Sequence, residues 1–165
     1  MRRFLVLFVL AGINFSIAED IFCQTTQYEA IIMKTSDLPK SINSVAATEL
    51  TNPGKIYNYG NYILINEKYK GVHIFDNSDP SNPANIGFIT VPGCLDMAVK
   101  DDILYVDNST DLVAIDIKQF PTINVTSRIQ KMFPEPTPPD LKFIPAKYST
   151  YNRPENTVIV EWKKK

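Results

Sequence analysis

Cysteine, histidine and glycine are scarce in this chain. Its 165 residues include two cysteines, one histidine and six glycines. A lone histidine, His73, cannot form a multi-histidine metal site, and the wide separation of Cys23 from Cys94 excludes a Cys-x-x-Cys zinc or redox motif. There is no Gly-x-Ser-x-Gly elbow and no glycine-rich phosphate loop, so the nucleophile turn of one hydrolase class and the common nucleotide cradles are missing. Basic residues are not in excess: 17 face 18 acidic ones, which leaves nucleic-acid binding without an electrostatic footprint. No cofactor, metal or catalytic residue is implied by what remains.

What is present points to β structure. The 44% hydrophobic and 21% charged content is that of a folded protein, and the 8 Tyr and 9 Phe favour pleated, half-buried surfaces. The 12 prolines predict many turns or long loops. Residues 1–18 read as a signal peptide: Arg2 and Arg3 form a charged start, Phe4 to Phe15 an apolar stretch, and Ser16-Ile17-Ala18 a small-residue cleavage site. The apolar stretch is too short, and too soon followed by Glu19 and Asp20, to favour a membrane span. Export would allow Cys23 and Cys94 to pair in a disulfide; a small buried thiol at Cys94 is the alternative.

Residues 52–131 divide into two units of the same order. In the first, Lys55–Tyr59, Tyr62–Asn66, Gly71–Asp76 and Asn85–Val91 are predicted strands, with a tight turn at Gly60-Asn61, a polar connection at Glu67–Lys70 and a long turn at 77–83. In the second, Leu95–Val99, Ile103–Asp107, Asp111–Asp116 and Ile123–Ile129 follow the same plan. The offset is roughly 40 residues, the period of four-stranded propeller blades. Each unit has an apolar face that it cannot bury alone, and stacking of neighbours would bury it. Asp76 and Asp116 end the third strands as turn starters, whose carboxylates can accept from backbone N–H groups two residues on.

Asn52–Tyr57, Tyr59–Tyr62, Gly71–Pro80 and Thr110–Asp116 resemble the LVIVD-repeat proteins, and the resemblance extends from about Tyr28 to Trp162. It implies an all-β, propeller-type architecture and export to the periplasm, the cell surface or the medium, and it carries over no catalytic residue. The chain departs from that family in two respects. Leu10-Ala11-Gly12 is followed by Ile13 where a lipidated cysteine would stand, so release is favoured over lipid anchoring. Two blades are visible where propellers need about four to close, which predicts a partial or truncated propeller with open sheet edges through which copies could associate.

In the flanks, 19–51 contains a predicted strand at Tyr28–Lys34 and one helical turn over 36–41 capped by Ser36. Residues 132–165 hold a proline-rich connector at 133–139, a final strand at Thr157–Trp162 and a solvated lysine tail. The acidic groups Asp76-Asn77-Ser78-Asp79 and Asp107–Asp111 offer oxygen ligands but lack the glycine and terminal glutamate of a calcium loop; turn chemistry accounts for both. Loops on a rigid β frame usually carry function. The candidate contact residues are therefore Asp76, Asn77, Asp79, Asn82, Asp107, Asn108 and Asp111. The expected function is a non-enzymatic binding or scaffold module for a protein or glycan ligand, with a propeller-enzyme fragment as the alternative.

Overall fold

The computed structural model describes residues 25–165. The expected signal segment 1–18 and Cys23, and with it the proposed pairing to Cys94, lie outside the described residues. Among those described, there is no α-helix, and eleven strands form three antiparallel sheets, none of them closed. Strand β1 (Tyr28–Lys34) is followed by a short 3-10 turn (Leu38–Lys40) and β2 (Asn43–Val45). Strands β3 (Pro53–Tyr59), β4 (Tyr62–Glu67), β5 (Gly71–Asp76) and β6 (Ala84–Thr90) form a meander, with β2 added outside β6. A second meander comprises β7 (Met97–Lys100), β8 (Ile103–Asn108), β9 (Asp111–Asp116) and β10 (Asn124–Ile129). The last strand, β11 (Thr157–Lys164), pairs with β1.

The two meanders repeat one another residue by residue. Tyr62 faces Asp76 across one ladder and Ile103 faces Asp116 across the other. Val72 faces Ile89 as Leu112 faces Ile129. One bulge coincides: the register slips after Ile74, opposite Gly87, and after Ala114, opposite Ser127, whereas the slip between Pro53 and Ile56 in β3 has no counterpart in β7. The turn chemistry also repeats. Gly60 (φ 56°) stands before β4, and Asp101 (φ 52°) and Asp102 (φ 62°) before β8. Asp76 accepts from the Ser78 N–H at 2.8 Å, and Asp116 from the Lys118 N–H at 2.9 Å.

The β11–β1 ladder resembles the second and third strands of such a unit, except that its register slips between Ile31 and Ile32 where β4–β5 and β8–β9 run without a slip. Asn156 (φ 55°) stands before β11 as Gly60 and Asp102 stand before β4 and β8. The end of β11 pairs with the start of β1, Lys164 opposite Tyr28, as Glu67 pairs with Gly71 and Asn108 with Asp111. The place of the third strand is thus filled by the N-terminal strand, coming from the far end of the described chain.

Alternation within the strands gives each sheet an aliphatic face, and one core lies between the two meanders. Leu64, Val72, Ile74 and Ile89 of the first pack against Val99, Leu104, Val106, Val113 and Ile115 of the second, with Tyr57 and Tyr59 at the margin. The Tyr57 hydroxyl donates to the Val99 carbonyl at 3.2 Å, and that of Tyr59 to the Asp102 carboxylate at 2.8 Å. Gly71, at φ 148°, lies so close to β6 that a Cβ there would fall 2.0 Å from the Ile89 carbonyl oxygen. Two small clusters hold β11: Leu38 with Val158, Val160 and Met33 on one side, and Tyr148 with Ile159 and Trp162 on the other.

Three local expectations are corrected. Ser36 does not cap the turn at 38–40; Asp37 holds that position without a side-chain cap bond, and burial of Leu38 against Val158 and Val160 anchors the turn instead. The lysine run is no free tail, since Lys163 and Lys164 pair with Glu29 and Tyr28. Glu67 does not belong to a polar surface connection but ends β4 as a buried residue.

Ile115→Ala, in the shared core, is expected to lower unfolding stability by about 2–5 kcal/mol in a urea titration. Ile56→Ala, at a side chain that is 62% exposed, should change it by less than about 0.5 kcal/mol.

Candidate functional site

The β4–β5 and β8–β9 hairpins lie at the same end of the two meanders, and β11 rests across them. The Tyr69 N–H donates to the Cys94 carbonyl at 2.7 Å, and the Ser109 hydroxyl to the Ile159 carbonyl at 2.7 Å. Lys70 pairs with Glu161. Beside this junction lies a cleft of about 750 Å³, bounded by the turn at 35–39, the start of β9, the segment 130–135 and the start of β11. Leu38, Pro39, Phe133 and Val158 supply its apolar wall, while Lys131 and Asn156 contribute polar groups.

The carboxylates of the cleft are already engaged. Asp111 accepts from Arg128 at 2.8 Å, from the Lys131 N–H at 3.1 Å and from the Thr110 hydroxyl at 3.2 Å. Arg128 also donates to the Asn108 side-chain oxygen at 3.0 Å. Glu135 is paired with Arg153 and accepts from the Ile159 N–H at 3.2 Å. Arg153 in turn donates to the carbonyls of Tyr148 and Thr157. Both ion pairs are largely buried, so their groups position backbone and leave little freedom for proton transfer.

The candidate contact residues separate into two kinds. Asp79 and Asn82 are exposed, with Asp76 and Asn77 half-buried beside them, in the β5–β6 connection at the end opposite the cleft. The other group is not presented as a loop. Asn108 and Asp111 are buried because their side chains bind Arg128 and, for Asn108, the Pro92 carbonyl. Asp107 accepts from the Leu95 and Asp96 N–H groups, both at 2.8 Å, and burial raises its pKa against those bonds. Among the described residues, no cluster of three or more acidic, histidine or cysteine side chains converges on a metal-sized site.

One buried group, Glu67, escaped the sequence reading, while His73 and Cys94 take core places that it allows them. Glu67 accepts from the Thr51 hydroxyl (2.6 Å), the Thr51 N–H (3.1 Å) and the Asn52 N–H (2.8 Å), and so ties the segment 46–52 to the sheet. Burial acts to raise its pKa, but these bonds and nearby His73 outweigh it and the value lies below 4.5. His73 is fully buried, with Nε2 at 3.5 Å from Glu67 and Nδ1 at 3.5 Å from the Asn85 amide. Burial lowers its pKa below 6.5, and Glu67 only partly opposes this. Cys94 is also fully buried, beside the Asn66 amide nitrogen at 3.2 Å, and burial pushes its thiol pKa well up. The sequence signal for Glu67 was present: it ends a run of apolar residues directly before the turn at 68–70.

No family model, curated protein or solved structure matches the chain.

Arg128→Met leaves Asp111 buried without its cation, and should destabilise the fold by about 3–5 kcal/mol in chemical denaturation. The acid response follows from Glu67 and His73. Both have folded pKa values below their unfolded ones, so each contributes stability that is present above its unfolded value and lost as pH falls. Thermal melts should therefore decline first below pH 6.5 and again below 4.5, and His73→Gln should flatten the first decline only.

Proposed function

We propose that this chain is a non-enzymatic binding or scaffold module of the cell envelope, of the LVIVD-repeat type, exported by its segment 1–18 and built from units set in the manner of propeller blades. The matching registers of the two meanders and the bulge they share support the repeat reading. Their stacking, with one face of the first on the opposite face of the second, is the relation that neighbouring blades have. The resemblance in residues 52–117 supports the family and the destination.

One observation carries the binding reading: the cleft beside β11 combines an apolar wall with polar groups, while its carboxylates are held in buried ion pairs. Such a site offers shape, hydrogen-bond donors and the Lys131 cation to a ligand that lies along it. It does not offer a free acid and base on facing walls, which glycoside hydrolysis requires. The rim is set by rigid strands and by the two ion pairs, so the site is formed before the ligand arrives.

The test is retention on the immobilised chain, using a panel of cell-envelope glycans and a panel of extended peptides. At least one class should be retained in a concentration-dependent manner and recovered unaltered. Phe133→Asp and Lys131→Glu should each reduce retention at least tenfold while the circular dichroism spectrum stays unchanged. Recovery of a cleaved ligand, with cleavage abolished by Asp79→Asn in the exposed loop, would overturn the reading in favour of an enzyme.

A further inference from the structure

The first meander buries a face whose counterpart in the second lies open. The ladder registers set the two faces in correspondence: Leu64 with Tyr105, Val72 with Leu112, Ile74 with Ala114, and Ile89 with Ile129. In the first meander all four belong to the shared core. In the second, Tyr105 is 38% and Ile129 52% exposed, Leu112 is half-buried and only the small Ala114 is buried, and none of the four joins an apolar cluster among the described residues. Alternation places Ala98 and Ile103 on this same face.

The other end of the stack is covered in part, with Ile56 on its β3 margin left 62% exposed. The outer face of the first meander carries Ile63, Ile65, His73 and Phe88. The segment 46–52 is fixed there through Glu67 and through the Asn85 amide, which donates to the Thr48 carbonyl at 3.0 Å, and His73 and Phe88 are buried. This is the kind of face that the open one would otherwise bind, by analogy with the internal contact. With it obstructed, copies of the chain cannot stack head to tail without displacing a tethered segment.

We propose that the open face of the second meander is a docking surface for a second copy of this chain, the two copies meeting face to face about a two-fold axis. The inference rests on the reading of the meanders as stacking blades. A two-fold pairing is closed and needs only the one open face on each copy. Charge favours it: Lys100 and Asp116 sit at the same end of the face, at neighbouring ladder positions on either side of Ile103. A two-fold axis along the strands brings each lysine beside the partner's acid. With the axis over β8, strands β7 to β9 overlap, and the sheet area is small, roughly 245 Å² per copy from three strands at about 4.8 Å spacing and five residues of about 3.4 Å. That is below the ~800 Å² per partner of a standard interface, so the dimer depends on concentration.

Sedimentation velocity over a concentration series, on protein expressed from the full 165-residue sequence, reads the association directly. The dimer fraction should rise with protein concentration. Tyr105→Lys and Ala98→Glu should each shift the midpoint at least tenfold upward, with circular dichroism and thermal melting unchanged. Ile56→Lys, at the partly covered end of the stack, should leave the midpoint alone. A wild-type chain that sediments as a monomer throughout overturns the proposal. So does a dimer that Tyr105→Lys leaves intact, which would assign association to the bare edge of β10. Ligand retention at the cleft is measured separately on Tyr105→Lys, so loss of one reading does not remove the other.

Discussion

The rest of the structure depends on the burial of one aliphatic sheet face against another. Leu64, Val72, Ile74 and Ile89 have nothing within their own meander to cover them, and the same holds for Leu104, Val106, Val113 and Ile115. Each fully buried aliphatic side chain contributes on the order of 1.5–3 kcal/mol, so this contact outweighs every polar bond at the margin. It also fixes geometry. Once the faces are in register, the β4–β5 and β8–β9 hairpins stand side by side, and β11 can rest on both. The cleft exists because that support exists.

Polar groups then act as joints between elements that the aliphatic contact alone would leave loose. Asn66 donates to the Gly71 and Cys94 carbonyls at 3.2 and 3.3 Å, linking the first meander to the chain that enters the second. Asp107 does the same for Leu95 and Asp96, and Glu67 for Thr51 and Asn52. In each case a carboxylate or amide near a strand end binds backbone N–H or carbonyl groups of the connecting chain, and Asn66 adds the Gly71 carbonyl at the start of β5. Unpaired, such groups cost about 1–3 kcal/mol each when buried, which explains why charged residues are found so far inside.

The strands were largely legible because their signals are local. Short apolar runs in Tyr62–Asn66 and Gly71–Asp76, bounded by glycine and aspartate at the turns, mark the strands, and the same pattern about 40 residues on makes the repeat readable. The role of Asp76 and Asp116 as turn starters was legible for the same reason, since the bond spans two residues. The candidate site was much less so. Asn108 and Asp111 look like loop residues, and only the approach of Arg128 from β10 shows that they are internal. Glu67 reads as part of a polar connection until Thr51, sixteen residues earlier, is seen to fold back onto it. The cleft itself draws on residues from 35 to 158, a separation over which sequence pattern carries no information.

The pairing of β1 with β11 orders events in time. A chain synthesised N-terminus first delivers β1 well before its partner β11. Both meanders can close on local contacts while β1 waits, because a contact between Tyr28 and Lys164 must span nearly the whole described chain. During that interval the strand presents unpaired backbone and the side chains of Tyr28, Ala30 and Met33, which the folded structure packs against β11. The pairing of β11 with β1 is the latch that completes the cleft, since the start of β11 lines it.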